Sequence, residues 1–597
     1  MKGFIKNVFA TVVGIFLSVG IMMAFFFFSL ISTLLTSTSE PQIKDNSILM
    51  LNLEGTIEEK AKEDIFAPFM GGEMSTLGLN EILSAIDKAK DNDKIKGMYI
   101  DCGMVSADHA TLQEIRSKLL EFKAAKKWIV AYSDVYMQGA YYLASVADKV
   151  YINPQGRLDW HGVGSQPIFY KNLLEKLGVK FTIVKVGTYK SATETFTEER
   201  MSDANREQVS VYVNGLWDNV VAGVSASRKL SKEVLNEYAD GIVMFEDAQA
   251  LKSKKLVDEL LYADQVKKEV KKRLGLKDDE SINQVTISEM ASAPVEKGIY
   301  SNEGDQIAVY YCAGDIVQSA SASLTSSGSS IVGNDVCKDM EKLMKDDKVK
   351  AVVIRINSGG GDAYASEQMW HYISELKKVK PVVVSMGGMA ASGGYYMACN
   401  ASWIVAEPTT ITGSIGIFGM FPDVSNLVTQ KLGVRFDEVK TNKHSTFSAF
   451  STARPLNADE LAFMQTFIDR GYALFCKRVA DGRKMQVADV DKIAQGRVWL
   501  GQDALKLKLV DQLGTMDDAV KKAAQLAKIE KYHINDYPAD KDFATQLMEK
   551  AGQVAPDQID TQLRNVLGVY YEPFVLVRTL NEQSPIQARI PYVLNVK

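Results

Sequence analysis

The chain contains one segment twice, and this duplication limits the possible folds more than any other feature of the sequence. Residues 93–97 (DKIKG) match residues 347–351 (DKVKA), an offset of 254 positions. The offset becomes 255 where residues 176–179 match residues 431–434, both reading KLGV. A register kept over about 150 residues indicates duplication rather than chance, so we expect both copies to fold alike.

Each copy alternates apolar runs with amphipathic helical patterns. In the second copy, residues 351–356 and 381–385 read as buried strands on either side of a helical pattern at 365–379. This alternation predicts an α/β fold with parallel sheets that are covered on both faces. Residues 281–304 read as a polar connection between the copies. The predicted parts are a cytoplasmic N-terminus and membrane anchor (1–44), the first copy (45–290), the second copy (291–540) and a C-terminal extension (541–597).

Composition excludes several classes of function. The formal net charge of −5 and the isoelectric point near 5.8 argue against a nucleic-acid-binding surface. The five cysteines are scattered, without a CxxC pair, and the five histidines form no HExxH motif. We therefore expect no metal site, no cofactor and no dense disulfide framework.

The N-terminal region has the character of a membrane anchor. Residues 7–39 contain no charge, and residues 8–35 are apolar apart from a few Gly, Ser and Thr. Such a run exceeds the ~20 residues needed to span a bilayer. Lys2 and Lys6 precede it, so we expect a cytoplasmic N-terminus and export of the rest of the chain. A cleaved signal peptide is the alternative, but its apolar region would be only about 7–15 residues long.

The two copies differ in a complementary way at two positions. The second copy has Ser392 within residues 389–395 (MAASGGY), where the first copy has Gln138. The first copy has Lys190, where the second copy has Ser445. A nucleophile in one copy and a base in the other would form a single active site from both.

A glycine-rich loop at 357–362 (NSGGGD) would complete the chemistry around Ser392. The N–H of Gly360 or Gly361, with that of Gly393, could stabilise an oxyanion; the sequence does not choose between Gly360 and Gly361. A phosphate loop would need GxxxxGK[ST], which this segment lacks. A simple tight turn and an N-cap role for Ser392 are the ordinary alternatives.

Ser392 needs a general base, and Lys190 is the best candidate. His371 falls on a predicted surface helix, and His444 is a weak candidate. A lysine base needs its pKa lowered from ~10.4 toward ~7–8, which burial between two domains can supply. Ser414, within residues 412–416 (TGSIG), could orient the amine, and its counterpart in the first copy is Trp160.

Four motifs resemble those of peptidase family S49, and in particular the long form of its signal peptide peptidases. They are residues 189–192 (YKSA), 391–395 (ASGGY), 412–416 (TGSIG) and 496–499 (GRVW). In one departure, Gly359 replaces the proline that is usual in the glycine loop. The resemblance implies a Clp-protease/crotonase-like fold and a membrane-anchored, dome-shaped homotetramer. It also implies a Ser/Lys-dyad endopeptidase that degrades cleaved signal peptides through an acyl-enzyme, with pockets for small or apolar side chains.

Two other classes of function remain open at this point. A crotonase-like acyl-CoA enzyme would share βαβ repeats and glycine oxyanion loops, but it would not need the complementary Lys190 and Ser392. A non-catalytic membrane scaffold would use the duplication only to build an oligomeric shell. Retention of both polar residues in copies that otherwise differ favours the peptidase.

Overall fold

A computed structural model describes residues 14, 17–18, 20–22, 41–61, 76–295, 298–319, 329–539 and 586–589. The strands are β1 Ser47–Glu58, β2 Thr76–Gly78, β3 Ile95–Ser106, β4 Trp128–Tyr136, β5 Lys149–Leu158, β6 Lys180–Lys185, β7 Glu259–Leu260, β8 Asn283–Val285, β9 Asp305–Ala313, β10 Asp315–Val317, β11 Ser330–Val332, β12 Val349–Ser358, β13 Gly360–Asp362, β14 Val382–Ala391, β15 Trp403–Ala406, β16 Ile411–Gly413, β17 Phe418–Asp423, β18 Val498–Leu500, β19 Gln512–Leu513, β20 Tyr532–Tyr537 and β21 Ile586–Arg589. The α-helices are α1 Leu79–Asp91, α2 His109–Ala124, α3 Gln138–Ala144, α4 Lys171–Leu177, α5 Glu194–Thr197, α6 Asp203–Arg228, α7 Lys232–Asp240, α8 Ala248–Ser253, α9 Ala263–Leu274, α10 Ile287–Ser292, α11 Gly333–Lys345, α12 Ala363–Val379, α13 Gly393–Ala398, α14 Ala458–Arg483, α15 Val487–Ile493, α16 Gly501–Lys506 and α17 Met516–Ala527.

Each copy builds its own sheet, and the two sheets have the same central order. The first sheet runs β2-β1-β3-β4-β5-β7, with β8 also paired to β1, and these pairs are parallel. The second runs β18-β16-β14-β12-β9-β20, with β15 between β14 and β19; only the β16–β18 pair is antiparallel. The series β1-β3-β4-β5 thus corresponds to β9-β12-β14-β15. This is the α/β architecture that the alternating pattern predicts.

The segment between the copies is more ordered than a polar connection. Strand β8 extends the first sheet, and α10 buries Ile287 and Met290 in the core of the first copy. A capping box formed by Thr286 and Glu289 begins α10. Ile287 and Met290 are too few and too closely spaced to predict a helix from the sequence. The helix is stabilised because both side chains pack in the core of the first copy.

A third, six-stranded sheet joins the two copies, in the order β11-β10-β13-β21-β17-β6. Strand β6 belongs to the first copy and pairs antiparallel with β17 of the second. The glycine-rich strand β13 lies in the same sheet. The strand that precedes Lys190 and the strand of the glycine loop therefore belong to one sheet.

Buried charges also connect the copies. The guanidinium of Arg355, on β12, contacts the carboxylates of Glu59 and Glu114 in the first copy, both at 2.7 Å. All three side chains are almost completely buried. Asn357, two residues further along β12, donates to Glu59 at 2.9 Å. The strand that leads into the glycine loop is thus fixed to the first copy.

Most of the predicted anchor at 8–35 lies outside the described residues. Across the part of the chain that the structure describes, no helix is both long enough and apolar enough to cross a membrane.

Candidate active site

Ser392 lies at a sharp turn between β14 and α13. Its backbone has φ 52° and ψ −112°, a region that a residue with a Cβ atom rarely adopts, and its N–H donates to Gly413 O at 2.8 Å. The side chain is fully buried and makes no hydrogen bond that caps α13. The strained turn instead directs the hydroxyl toward the boundary between the copies.

Lys190 of the same chain meets Ser392 at this boundary. Its Nζ lies 2.7 Å from Ser392 Oγ, 3.0 Å from Ser414 Oγ and 3.1 Å from Ser414 O. The lysine side chain is fully buried. Burial lowers the pKa of the amine well below its ordinary value of 10.5, and it is the one cause of the shift. A neutral amine in contact with a serine hydroxyl is able to accept its proton.

Ser414 is held at a second strained position. It has φ 47°, and its N–H donates to Arg497 O at 2.7 Å. Its hydroxyl lies between Lys190 Nζ and Gly496 O, which is 3.3 Å away. Among the described residues, the side chain and carbonyl of Ser414 thus provide two of the three hydrogen-bond partners of the lysine amine.

The glycine loop contains two residues in unusual backbone conformations. Gly360 has φ 101° and Gly361 has φ 157°. The N–H of Gly360 donates to Ser358 Oγ at 3.1 Å, and that hydroxyl donates to Gly314 O at 2.6 Å. The N–H of Gly360 is therefore already engaged by a hydroxyl of the same loop.

The sequence profile of peptidase family S49 matches residues 121–277 and 374–530, one match in each copy. The chain belongs to peptidase family S49. It is 37% identical to Protease 4 of Salmonella typhi over 505 residues, covering 82% of this chain and 80% of that protein. It is 36% identical to Protease 4 of Haemophilus influenzae, covering 80% and 78% respectively.

A plant relative extends the comparison along the chain. The chloroplastic serine protease SPPA of Arabidopsis thaliana is 30% identical over 556 residues, covering 93% of this chain and 79% of that protein. Among solved structures, a ClpP1 mutant from Listeria monocytogenes covers 36% of this chain at 15% identity, with a TM-score of 0.24. Because the family profile matches both copies and the relatives with long matches are proteases, the chain is an S49 serine peptidase, and the acyl-CoA and scaffold alternatives lose their support.

In the first copy of this S49 chain, Gln138 occupies the position that corresponds to Ser392. The amide oxygen of Gln138 accepts from the N–H groups of His161 and Gly162, at 3.1 and 3.0 Å, and its nitrogen donates to Gly162 O. Trp160, the counterpart of Ser414, is fully buried and donates to Leu235 O. Both side chains therefore form their hydrogen bonds within the first copy, which contributes Lys190 to the site.

The lysine loop approaches the second copy very closely. A Cβ atom on Gly496, which has φ 79°, would lie 2.6 Å from Lys190 Cβ. The N–H of Tyr189 donates to Gln495 O at 2.9 Å. Glycine at position 496 is therefore required for the lysine backbone to lie where it does, which gives a physical reason for the motif at 496–499.

Sequence reasoning missed Gln208, on α6. Its amide nitrogen donates to Ser191 Oγ at 2.7 Å and to Tyr189 O at 3.1 Å. Its oxygen accepts from the N–H of Val498 in the second copy at 3.3 Å. Gln208 thus ties the lysine loop to the segment opposite it. No motif marks this residue, because a buried glutamine on a long helix has no distinctive spacing.

The two histidines considered as bases lie elsewhere. His371 is exposed on α12, and His444 lies 3.6 Å from Glu460.

Proposed function

We propose that the chain is an endopeptidase in which Ser392 is the nucleophile and Lys190 is the general base. The proposal rests on one observation: the Nζ–Oγ contact of 2.7 Å inside a buried site where the pKa of the lysine is lowered. A lysine acts as a base only when it is neutral, and desolvation favours that state.

In the first step, Lys190 takes the proton of Ser392 as Oγ attacks the peptide carbonyl. The protonated amine then gives this proton to the leaving nitrogen, and an acyl-enzyme forms. Water repeats the sequence and releases the second product. The N–H groups of Gly393 and of the glycine loop stabilise the oxyanion.

Ser414 holds the lysine in position during both proton transfers. Its hydroxyl and carbonyl both contact Nζ, which supports this role. With these acceptors in place, the lone pair of the neutral amine is left for Ser392.

We further propose that the peptidase is anchored by residues 8–35, with its N-terminus in the cytoplasm and its catalytic part on the exported side of the inner membrane. Its substrates are remnants of cleaved signal peptides, and it works as a homotetramer. The charge pattern of the N-terminus supports the anchor, and the family resemblance supports the substrate and the assembly. Retention in the pellet after alkaline carbonate extraction tests the anchor, and cleavage of a synthetic signal peptide tests the substrate.

The catalytic assignment is tested by labelling with a fluorophosphonate probe and by peptide hydrolysis. The purified protein is expected to label at Ser392, and the variants Ser392→Ala and Lys190→Ala should lose hydrolysis. Lys180→Ala is the matched control, because Lys180 lies on the preceding strand β6 and is exposed. Turnover at the unmodified rate by Lys190→Ala would contradict the proposal.

A further inference from the structure

The main chain of Arg497 supports the serine side of the site. The N–H of Ser414 donates to Arg497 O at 2.7 Å. The next residue, Val498, begins β18 and lies opposite Gly413 on β16. Gly413 in turn accepts a hydrogen bond from the N–H of Ser392 at 2.8 Å. The backbone at Arg497 is therefore bonded to Ser414 directly and lies beside the residue that holds the turn at Ser392.

The side chain of Arg497 reaches from the second copy to the lysine loop of the first. Its Nη1 donates to the hydroxyl of Tyr189 at 3.1 Å, and the guanidinium carbon lies 4.7 Å from the centre of the Tyr189 ring. Its Nη2 forms an ion pair with Glu207 on α6 at 2.8 Å. A guanidinium is planar and is attracted to the face of an aromatic ring. Because Tyr189 directly precedes Lys190, this contact acts on the residue next to the base.

A second aromatic ring fixes the guanidinium within the second copy. The guanidinium carbon of Arg497 lies 4.5 Å from the centre of the Trp499 ring. The indole N–H of Trp499 donates to Ile493 O at 3.0 Å, and a Cβ atom on Gly413 would be 2.9 Å from Trp499 Cδ1. The indole is thus fixed by a hydrogen bond and by close packing on β16. Arg497 therefore has fixed contacts in the second copy while its side chain holds Tyr189 of the first.

Charge does not explain this arrangement. Burial is the one cause of the lowered pKa of Lys190, so the positive charge of Arg497 does not set the protonation of the base. The carboxylate of Glu207 is exposed, and exposed ion pairs contribute little to stability. The contact of the guanidinium with Tyr189 is the one that bears on the position of Lys190.

We propose that Arg497 is a positioning residue, which keeps Lys190 at hydrogen-bond distance from Ser392 by stacking on Tyr189. The inference rests on the proposed function of the Lys190–Ser392 pair. Proton transfer needs the amine within reach of the hydroxyl, and a displacement of about 1 Å in a reacting group can lower the rate about 100-fold. Without the guanidinium, the lysine loop keeps its main-chain contact with the second copy but loses the stack on Tyr189.

Steady-state kinetics of Arg497→Met on a fluorogenic peptide tests the proposal. We expect kcat to fall about 10- to 100-fold and KM to change little, because the residue positions the base and binds no substrate. The acid limb of the pH–rate profile should move to higher pH, since an amine that is less buried is protonated more readily. A kcat and a pH profile like those of the unmodified chain would overturn the proposal.

Arg228→Met is the matched control for a loss of stability. Arg228 ends α6 and is also partly buried, with an ion pair to Asp258 at 3.0 Å and hydrogen bonds to Lys255 O. Its loss should lower the midpoint of thermal unfolding without moving the pH profile. An equal shift of the pH profile in Arg228→Met would mean that general loosening causes the effect, and the positioning role would then be wrong.

Changes at Tyr189 test the stack from the first copy, and they decide the matter if Arg497→Met does not fold. Tyr189→Phe keeps the ring and should retain kcat to within about twofold, whereas Tyr189→Leu should lower kcat as Arg497→Met does. Combining Tyr189→Leu with Arg497→Met should add little to either loss, because both changes remove one contact. Glu207→Gln removes only the ion pair and should leave the pH profile unchanged. Additive losses, or equal losses for Tyr189→Phe and Tyr189→Leu, would rule out the stack.

The variants Ser392→Ala and Lys190→Ala separate this inference from the proposed function. If both lose hydrolysis while Arg497→Met retains the rate and the pH profile of the unmodified chain, only the positioning role is wrong. If either retains hydrolysis at the unmodified rate, the proposed catalytic pair itself fails.

Discussion

Burial of the Lys190 amine lowers the stability of the folded state, but it also favours the neutral form that the proposed base requires. Burial lowers the pKa of its amine well below 10.5, so at pH values between the lowered pKa and 10.5 the unfolded chain binds a proton that the folded chain does not. The stability of the folded state should therefore rise with pH until the pH approaches 10.5. In the same way, activity should fall as the pH drops below the lowered pKa, because the base becomes protonated.

The variant Lys190→Met should remove this contribution to the pH dependence of stability. Its free energy of unfolding, relative to that of the unmodified chain, should decrease as pH rises, by up to about 1.4 kcal/mol per pH unit. Denaturant unfolding at several alkaline pH values measures this difference. Lys180→Met is the control, because Lys180 is exposed. Parallel pH curves for Lys190→Met and the unmodified chain would show that the folded state binds the proton after all.

Ser414 is expected to act on the reaction through the lysine. Ser414→Ala removes one hydrogen bond to Nζ, which is worth about 1 kcal/mol net, so kcat should fall about fivefold. The pH profile should shift as well, since the hydroxyl contributes to the environment of the amine. Ser445→Ala is the control, because Ser445 is exposed. A lower kcat with an unchanged pH profile would indicate a purely structural role.

At the scale of single residues, the sequence singles out three polar residues that the structure brings together, but it does not single out Gln208, which supports them. Ser392, Lys190 and Ser414 stand out because the two copies differ at these positions. In the structure Lys190 Nζ lies within hydrogen-bond distance of both serine hydroxyls. Gln208 could not be predicted, because its role depends on the packing of α6 against both the lysine loop and β18.

Among the structural elements, the glycine loop depends most on backbone freedom. Gly360→Ala should lower kcat by about 10²–10³-fold, because the added Cβ atom would displace the backbone of Gly393, which we propose as an oxyanion donor. The added Cβ atom would meet the N–H nitrogen of Gly393 at 2.7 Å, and φ 101° strains any residue with a side chain. Steady-state kinetics measures the loss. Gly359→Ala is the control, because Gly359 has no positive φ, and an equal effect there would indicate general damage to the loop.

The pattern of elements was predictable only within each copy. The strands β12 and β14 and the helix α12 follow from apolar runs and helical spacing. The pairing of β6 with β17 does not, because strand partners that are distant in sequence leave no periodic signal. The same holds for β21, whose four residues have no recognisable strand pattern outside the site that receives them.

At the scale of the whole molecule, the two copies can form the proposed active site only if their relative position is fixed. The buried ion pairs of Arg355 with Glu59 and Glu114 contribute to fixing it. Arg355→Ala leaves Glu59 and Glu114 buried without a counter-charge, so it should cost about 3–5 kcal/mol of stability and lower kcat. Denaturant unfolding and kinetics measure both losses. Adding Glu59→Gln should recover part of the stability, because one unpaired carboxylate disappears. Lys342→Ala breaks an exposed ion pair and should change the stability little; an equally small effect for Arg355→Ala would mean that the copies are held together by other contacts.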